Sequence, residues 1–327
     1  MRSKFQLLLL FCLMALATWA QESPSSSFNI GDTAPPLRLH AWLKGKPVRY
    51  FRKGRLYVVE FWATWCHPCK VAMPHLSALA RDYKSKVTFI GVDIYEKKTT
   101  HLEKIKSFVD SMGALMDYAV AVGDSDFMPA AWLDASGEKG IPKSFLINGE
   151  GRVAWIGHPR DLAEVLPRIV SNTWDVKAAL EKRILEKHLE YLDEDESYEL
   201  ARFRGDPGKP DSVLVLVHEL LRKEPGLKYM PAMVANTFSA LLKTNPHEAY
   251  LYGKELLAAT GEHLPYDMIY KNVEGFPTRL PAEIYQLAAE AFQAEIRVDS
   301  EYLYLPDMYH RMAEMYRRAG TPRSTLQ

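Results

Sequence analysis

Apolar residues change their spacing once along this chain, and the change divides it. Between residues 37 and 172, strand-like runs alternate with runs of helical period; from 173 to 327 only the helical period remains. "LYVVEFW" (Leu56 to Trp62) is nearly continuous in apolar, β-branched and aromatic residues, which predicts a central strand covered on both faces. A helix is predicted from about Cys66 to Tyr83, bent at Pro74. "KVTFIGVDI" (Lys86 to Ile94) predicts a second central strand. In "TTHLEKIKSFVDSMG", Thr99 or Thr100 is placed to cap a helix whose apolar face is Leu102, Ile105, Val109 and Met112, with Gly113 as its stop. "YAVAVG" (Tyr118 to Gly123) predicts a third strand, and a short helical piece follows around Ala130 to Ala135. "GIPKSFLINGEGRVAWIG" sets two strands about Asn148-Gly149-Glu150-Gly151, a hairpin signal, and "DLAEVLPRIV" closes the region as a helix. Upstream, "LRLHAWL" and "VRYF" flank Gly45 and Pro47 and read as an opening hairpin. The order predicts an α/β domain: a mixed central sheet with helices on both faces.

Beyond residue 173, segments such as "VKAALEKRILEKHLEYL", "AEIYQLAAEAFQAEI" and "DMYHRMAEMYRRAG" predict an all-α region of packed helical hairpins. The last two faintly resemble tetratricopeptide helices, but no constant repeat length runs through the region. At the other end, Arg2 and Lys4 precede the apolar stretch Leu7 to Ala17, too short to span a bilayer comfortably, and Ala20 offers a small residue before Gln21. That order is expected of a secretory signal peptide over residues 1–20 and places the protein in the periplasm or another extracytoplasmic space. Phe11 before Cys12 disfavours a lipid anchor there. Residues 21–36, rich in Ser and Pro, are expected to form a tether into the domain.

Composition alters this picture little. The chain is 47% hydrophobic and 25% charged with zero formal net charge, ordinary for a globular protein and no advertisement for nucleic acid. Cysteine count alters it more. Of 3 cysteines, Cys12 leaves with the signal peptide, so the processed chain keeps Cys66 and Cys69 alone. A disulfide closing so short a loop adds little stability by chain entropy, so the pair is not a staple. Zinc wants four ligands, and no second Cys-x-x-Cys or close His pair accompanies this one. What remains is redox exchange.

Cys66 falls at the start of a helix that follows a strand. Unsatisfied N–H groups and the helix dipole there favour a thiolate, which makes Cys66 the nucleophile. Cys69 sits one turn deeper on the same side and is placed to resolve a mixed disulfide. His67 is expected to tune the couple towards oxidising character by charge or hydrogen bond, and Pro68 suits the first helical turn. Glu60, a carboxylic acid in a central strand, is expected to have a raised pKa and to exchange a proton with Cys69.

"EFWATWCHPCKVAMP" carries the strand acid, both tryptophans, the Cys-x-x-Cys and the helix proline in the order of the thioredoxin superfamily. With the export signal and the inserted segment at about 97–135, the chain resembles the TlpA-like periplasmic thioredoxins, some of which serve cytochrome c maturation; the likeness covers roughly residues 28–171. The resemblance implies a thioredoxin fold and a thiol–disulfide oxidoreductase that reduces cysteine-containing proteins, needs no cofactor, and is recharged by a membrane electron-donor protein. It implies a cis proline at Pro142, with Ile141 offering backbone hydrogen bonds to a bound peptide and Trp65 bordering its groove. A lysine often stands beside the buried acid in this family; here that place falls to Gly91. Two other readings predict different behaviour. A docking protein recruiting through its helical region would work without its cysteines. A thiol peroxidase wants a threonine three residues before its cysteine, where this chain has Ala63.

Overall fold

The computed structural model describes residues 27–97, 99–204, 209–260, 263–299 and 305–321; the expected signal peptide and residues 21–26 of the expected tether lie outside them. The chain divides into two compact units, one ending at Leu180 and the other beginning at Glu181.

The first unit is built on a 6-stranded mixed sheet. Its strands are β1 (Leu39–Lys44), β2 (Leu56–Trp62), β3 (Val87–Asp93), β4 (Ala119–Gly123), β5 (Lys143–Ile147) and β6 (Val153–Gly157), in spatial order β1-β4-β3-β2-β5-β6. β2, β3 and β4 run parallel, while β1, β5 and β6 pair antiparallel to their neighbours. Helix α1 (His67–Asp82) links β2 to β3, and α2 (Leu102–Met112) links β3 to β4. Both crossovers step the same way across the sheet, so right-handed connections put both helices on one face. Phe108 of α2 identifies that face by stacking on Trp62 at 5.5 Å. On the other face Val59, Phe61, Ile90, Val92, Phe145 and Ile147 form an apolar core with Trp132, whose ring packs edge-on against Phe145 at 5.2 Å.

Three sequence expectations are corrected. "VRYF" is not a strand, and no opening hairpin forms: β1 pairs with β4 at the sheet edge, a partner some eighty residues on that local pattern does not reveal. The N-cap of α2 is His101, with no side-chain cap bond, so neither Thr99 nor Thr100 serves. Residues 28–36 are not a free tether. Ile30 and Ala34 are buried, Phe28 packs on the core, and Gly31 N–H donates to the Val153 carbonyl, because this polar-looking segment carries enough apolar side chains to line the sheet.

The second unit is helical among its described residues. Phe238, Ile284, Leu287, Phe292 and neighbours form its main core, where Tyr270 stacks on Phe292 at 3.8 Å. Asp193 receives the Ala232 and Met233 backbone N–H groups, both at 2.9 Å, and so satisfies the start of the helix Pro231–Thr244. No helix of the described residues is long and apolar enough to cross a membrane.

Candidate active site

Cys66 and Cys69 are joined in a disulfide, with Cα atoms 5.3 Å apart. Cys66 is the N-cap of α1, and its Sγ accepts the Cys69 N–H at 3.2 Å. The helix N-terminus therefore aims a backbone donor at the first sulfur, which stabilises negative charge there once the bond is opened. Exposure separates the two cysteines: Cys66 keeps 3% of its surface and Cys69 none. Of the pair, only Cys66 has open surface.

The surroundings of Cys66 come from three loops. Ile141, whose bond to Pro142 is cis, places its carbonyl oxygen 3.8 Å from Cys66 Sγ. Trp65 is half exposed and donates its ring N–H to the Tyr95 carbonyl at 3.0 Å. Thr64 N–H donates to Glu96 Oε1 at 2.6 Å. His67 and Pro68 lie exposed at the start of α1. His75, further along α1, is half-buried, and its Nε2 is enclosed without a hydrogen-bond partner among the described residues. Among the described residues, no group of three His, Cys, Asp or Glu side chains is arranged to hold a metal ion.

Glu60 stands in the middle of β2, 2% exposed, with a strand on either side. Burial pushes its pKa up from 4.5 to about 8. The register puts Gly91 of β3 and Ser144 of β5 beside it, on the face covered by α1 and α2. Gly91 matters sterically: an added Cβ would lie 2.8 Å from Tyr118 Cε2, 3.3 Å from Trp62 Nε1 and 3.5 Å from Glu60 Oε2. Gly91→Ala should therefore lower stability by about 1–3 kcal/mol, read from the urea midpoint of the first unit. An unchanged midpoint would show that the Tyr118 ring yields freely.

Four residues of this site escaped the sequence reading. Asp93, one pair along from Glu60 on the same face, is 1% exposed, and its pKa is raised to about 9 by burial first, then by Glu96 and Glu60. Tyr118 is held well above its ordinary pKa by burial and by Glu60. Tyr95 has a left-handed backbone (φ 60°), and Glu96 follows it. An acid closing the apolar run "FIGVD" was the available signal for Asp93, the same kind that marked Glu60.

The thioredoxin family pattern matches residues 49–110. Protein FixW of Rhizobium leguminosarum is 34% identical over 158 residues, covering 46% of this chain and 70% of that protein. Thiol-disulfide oxidoreductase ResA of Bacillus subtilis is 31% identical over 150 residues, covering 45% of this chain and 78% of its own. The chain belongs to the thioredoxin-like thiol–disulfide oxidoreductases. A thiol:disulfide interchange protein, DsbE of Tatumella citrea, is 29% identical over 186 residues, covering 51% of this chain and 91% of its own. Membership in this family makes the Cys66–Cys69 pair a dithiol/disulfide redox centre on a thioredoxin fold, with the helical region as an addition to it.

Proposed function

We propose that the protein is an exported reductase of disulfides in cysteine-containing proteins outside the cytoplasm, recharged by a membrane electron-donor protein. The observation that carries the exchange chemistry is the asymmetry of the pair: a near-surface Cys66 at a helix N-terminus over a fully enclosed Cys69. Cys66 attacks and holds the partner as a mixed disulfide; Cys69, giving its proton to Glu60, displaces it. Trp65, Ile141 and Pro142 border the place where the partner's sulfur must arrive, and Ile141 offers backbone groups to the partner peptide. His67 and Pro68 lie over the first turn of α1 and set the potential of the couple. Export rests on the charged and apolar opening of the chain. Relatives named as thiol-disulfide oxidoreductase and interchange proteins support the substrate class.

Direction is tested in living cells. Acid quenching followed by alkylation should find the Cys66–Cys69 pair mostly reduced at steady state, as a reductase requires, and oxidised when the membrane donor is lost. A pair found mostly oxidised in unperturbed cells would mean that the protein delivers disulfides instead.

A further inference from the structure

One face of the sheet carries a row of polar groups of which the exchange reaction uses Glu60 alone. Both oxygens of Glu60, Trp62 Nε1, Oδ1 of Asp93, Tyr118 OH and Ser144 Oγ are enclosed there without a hydrogen-bond partner among the described residues. Strand register accounts for the gathering: Ser144, Glu60 and Gly91 lie side by side across β5, β2 and β3, and Trp62 pairs with Asp93. Buried polar atoms in such numbers call for internal water, and a polar, multi-donor site is one that water occupies. The row also has an outer end. The Asp93 carboxyl lies against that of Glu96, which is partly exposed and binds Thr64 N–H two residues before Cys66.

We propose that Asp93 and Glu96 form the proton outlet of the active site, connecting Glu60 through bound water to solvent beside the Cys66 loop. This rests on the reading of Glu60 as the proton partner of Cys69, and extends it. Glu60 is enclosed on every side and carries a proton at neutral pH, so it must pass that proton out before it takes one from Cys69. The groups along this path are Glu60 from β2, Asp93 from β3, Glu96 from the following loop, and Tyr118 and Ser144 from the flanking segments; α2 contributes Phe108, which is apolar, and the reading of Glu60 sets Cys69 of α1 at the inner end.

Cys69 gives its proton to ionised Glu60, and the Cys69 thiolate attacks Cys66 Sγ of the mixed disulfide. The Cys66–Cys69 bond forms, the bond from Cys66 to the partner sulfur breaks, and the partner leaves as a thiolate with the electron pair. The cysteine pair is oxidised by two electrons and the partner disulfide reduced by two. The proton on Glu60 then moves by water to Asp93, from Asp93 to Glu96, and from Glu96 to solvent. Asp93 and Glu96 touch no substrate and act through Glu60.

The test uses the reduced full chain and Ellman's reagent, which releases one coloured thiolate when Cys66 attacks and a second when Cys69 resolves. Asp93→Asn preserves shape and, with Asp93 protonated at neutral pH, also preserves charge. Glu96→Gln keeps the acceptor for Thr64 N–H. The outlet predicts a second phase slowed at least ~5-fold in Asp93→Asn and ~3-fold in Glu96→Gln between pH 6 and 7.5, with the first phase unchanged. It also predicts that the deficit closes above about pH 9, where hydroxide replaces the relay. A structural role for Asp93 would not generate that pH dependence. If Glu60→Gln slows the second phase but neither outlet variant does, the outlet is wrong and the Glu60 reading stands. If Glu60→Gln leaves it unchanged, both fall. Should Asp93→Asn fail to fold, Glu96→Gln decides alone.

Discussion

Cys66→Ser should reduce disulfide exchange to the uncatalysed background, a loss on the order of 10³-fold or more, because the only sulfur of the pair with open surface is gone. Cys69→Ala should behave differently. Its first encounter with a substrate disulfide should proceed at close to the normal rate, because the backbone donor at residue 69 and the helix N-terminus that favour the Cys66 thiolate survive the substitution. Turnover then stops at the mixed disulfide, since nothing else enclosed beneath Cys66 carries a thiol. Stopped reaction progress with a normal burst is the signature. Equal loss of burst in both variants would contradict the assignment of attacker and resolver. The same comparison separates this protein from a docking protein, whose effect would survive both substitutions.

The second large effect concerns stability. Glu60 titrates near 4.5 in the unfolded chain and at about 8 when folded, so between those values the native state holds a proton that the unfolded state has lost. Stability must fall as pH rises across that window, by about 1.4 kcal/mol per pH unit for this one-proton difference, and the accumulated cost by pH 8 is several kcal/mol. Asp93, raised to about 9, adds a slope of the same sign, and the two carboxyls titrate as a coupled pair. Glu60→Gln should therefore match the wild-type protein near pH 4.5 and exceed it by a few kcal/mol at pH 8. Tryptophan fluorescence isolates the relevant unit, since the 7 tryptophans of the chain end at Trp174. A wild-type stability that is flat, or rises, from pH 5 to 8 would show that Glu60 is solvated or paired.

These two effects follow from features that differ in how plainly the sequence displays them. Cys66 and Cys69 are legible because their placement between a β-rich run and a helix start is local, and local chemistry decides their roles. Glu60 is legible because a carboxylate inside "LYVVEFW" violates the apolar pattern of its own strand, and the register then sets Gly91 beside it as the missing lysine suggests. Asp93 breaks its strand in the same way, yet it sits at the strand's last residue, where polarity looks like the onset of a loop; only pairing with Trp62 places it under the helices. Tyr118, just ahead of β4, and Ser144 of β5 join the polar row from positions distant in sequence, which no local pattern reports. The misread opening hairpin fails for that reason too: β1 finds its partner in β4. In the second unit the helical period names the helices, but which faces meet depends on contacts such as the stacking of Tyr270 on Phe292.

The central claim, that Cys66 carries the partner and Cys69 releases it, is tested most directly by intact-mass analysis and peptide mapping of Cys69→Ala after reaction with a disulfide-bonded protein. The account predicts one covalent adduct, mapped to Cys66 and removed by dithiothreitol. A protein that remains unmodified, or an adduct mapped to any other residue, would contradict it.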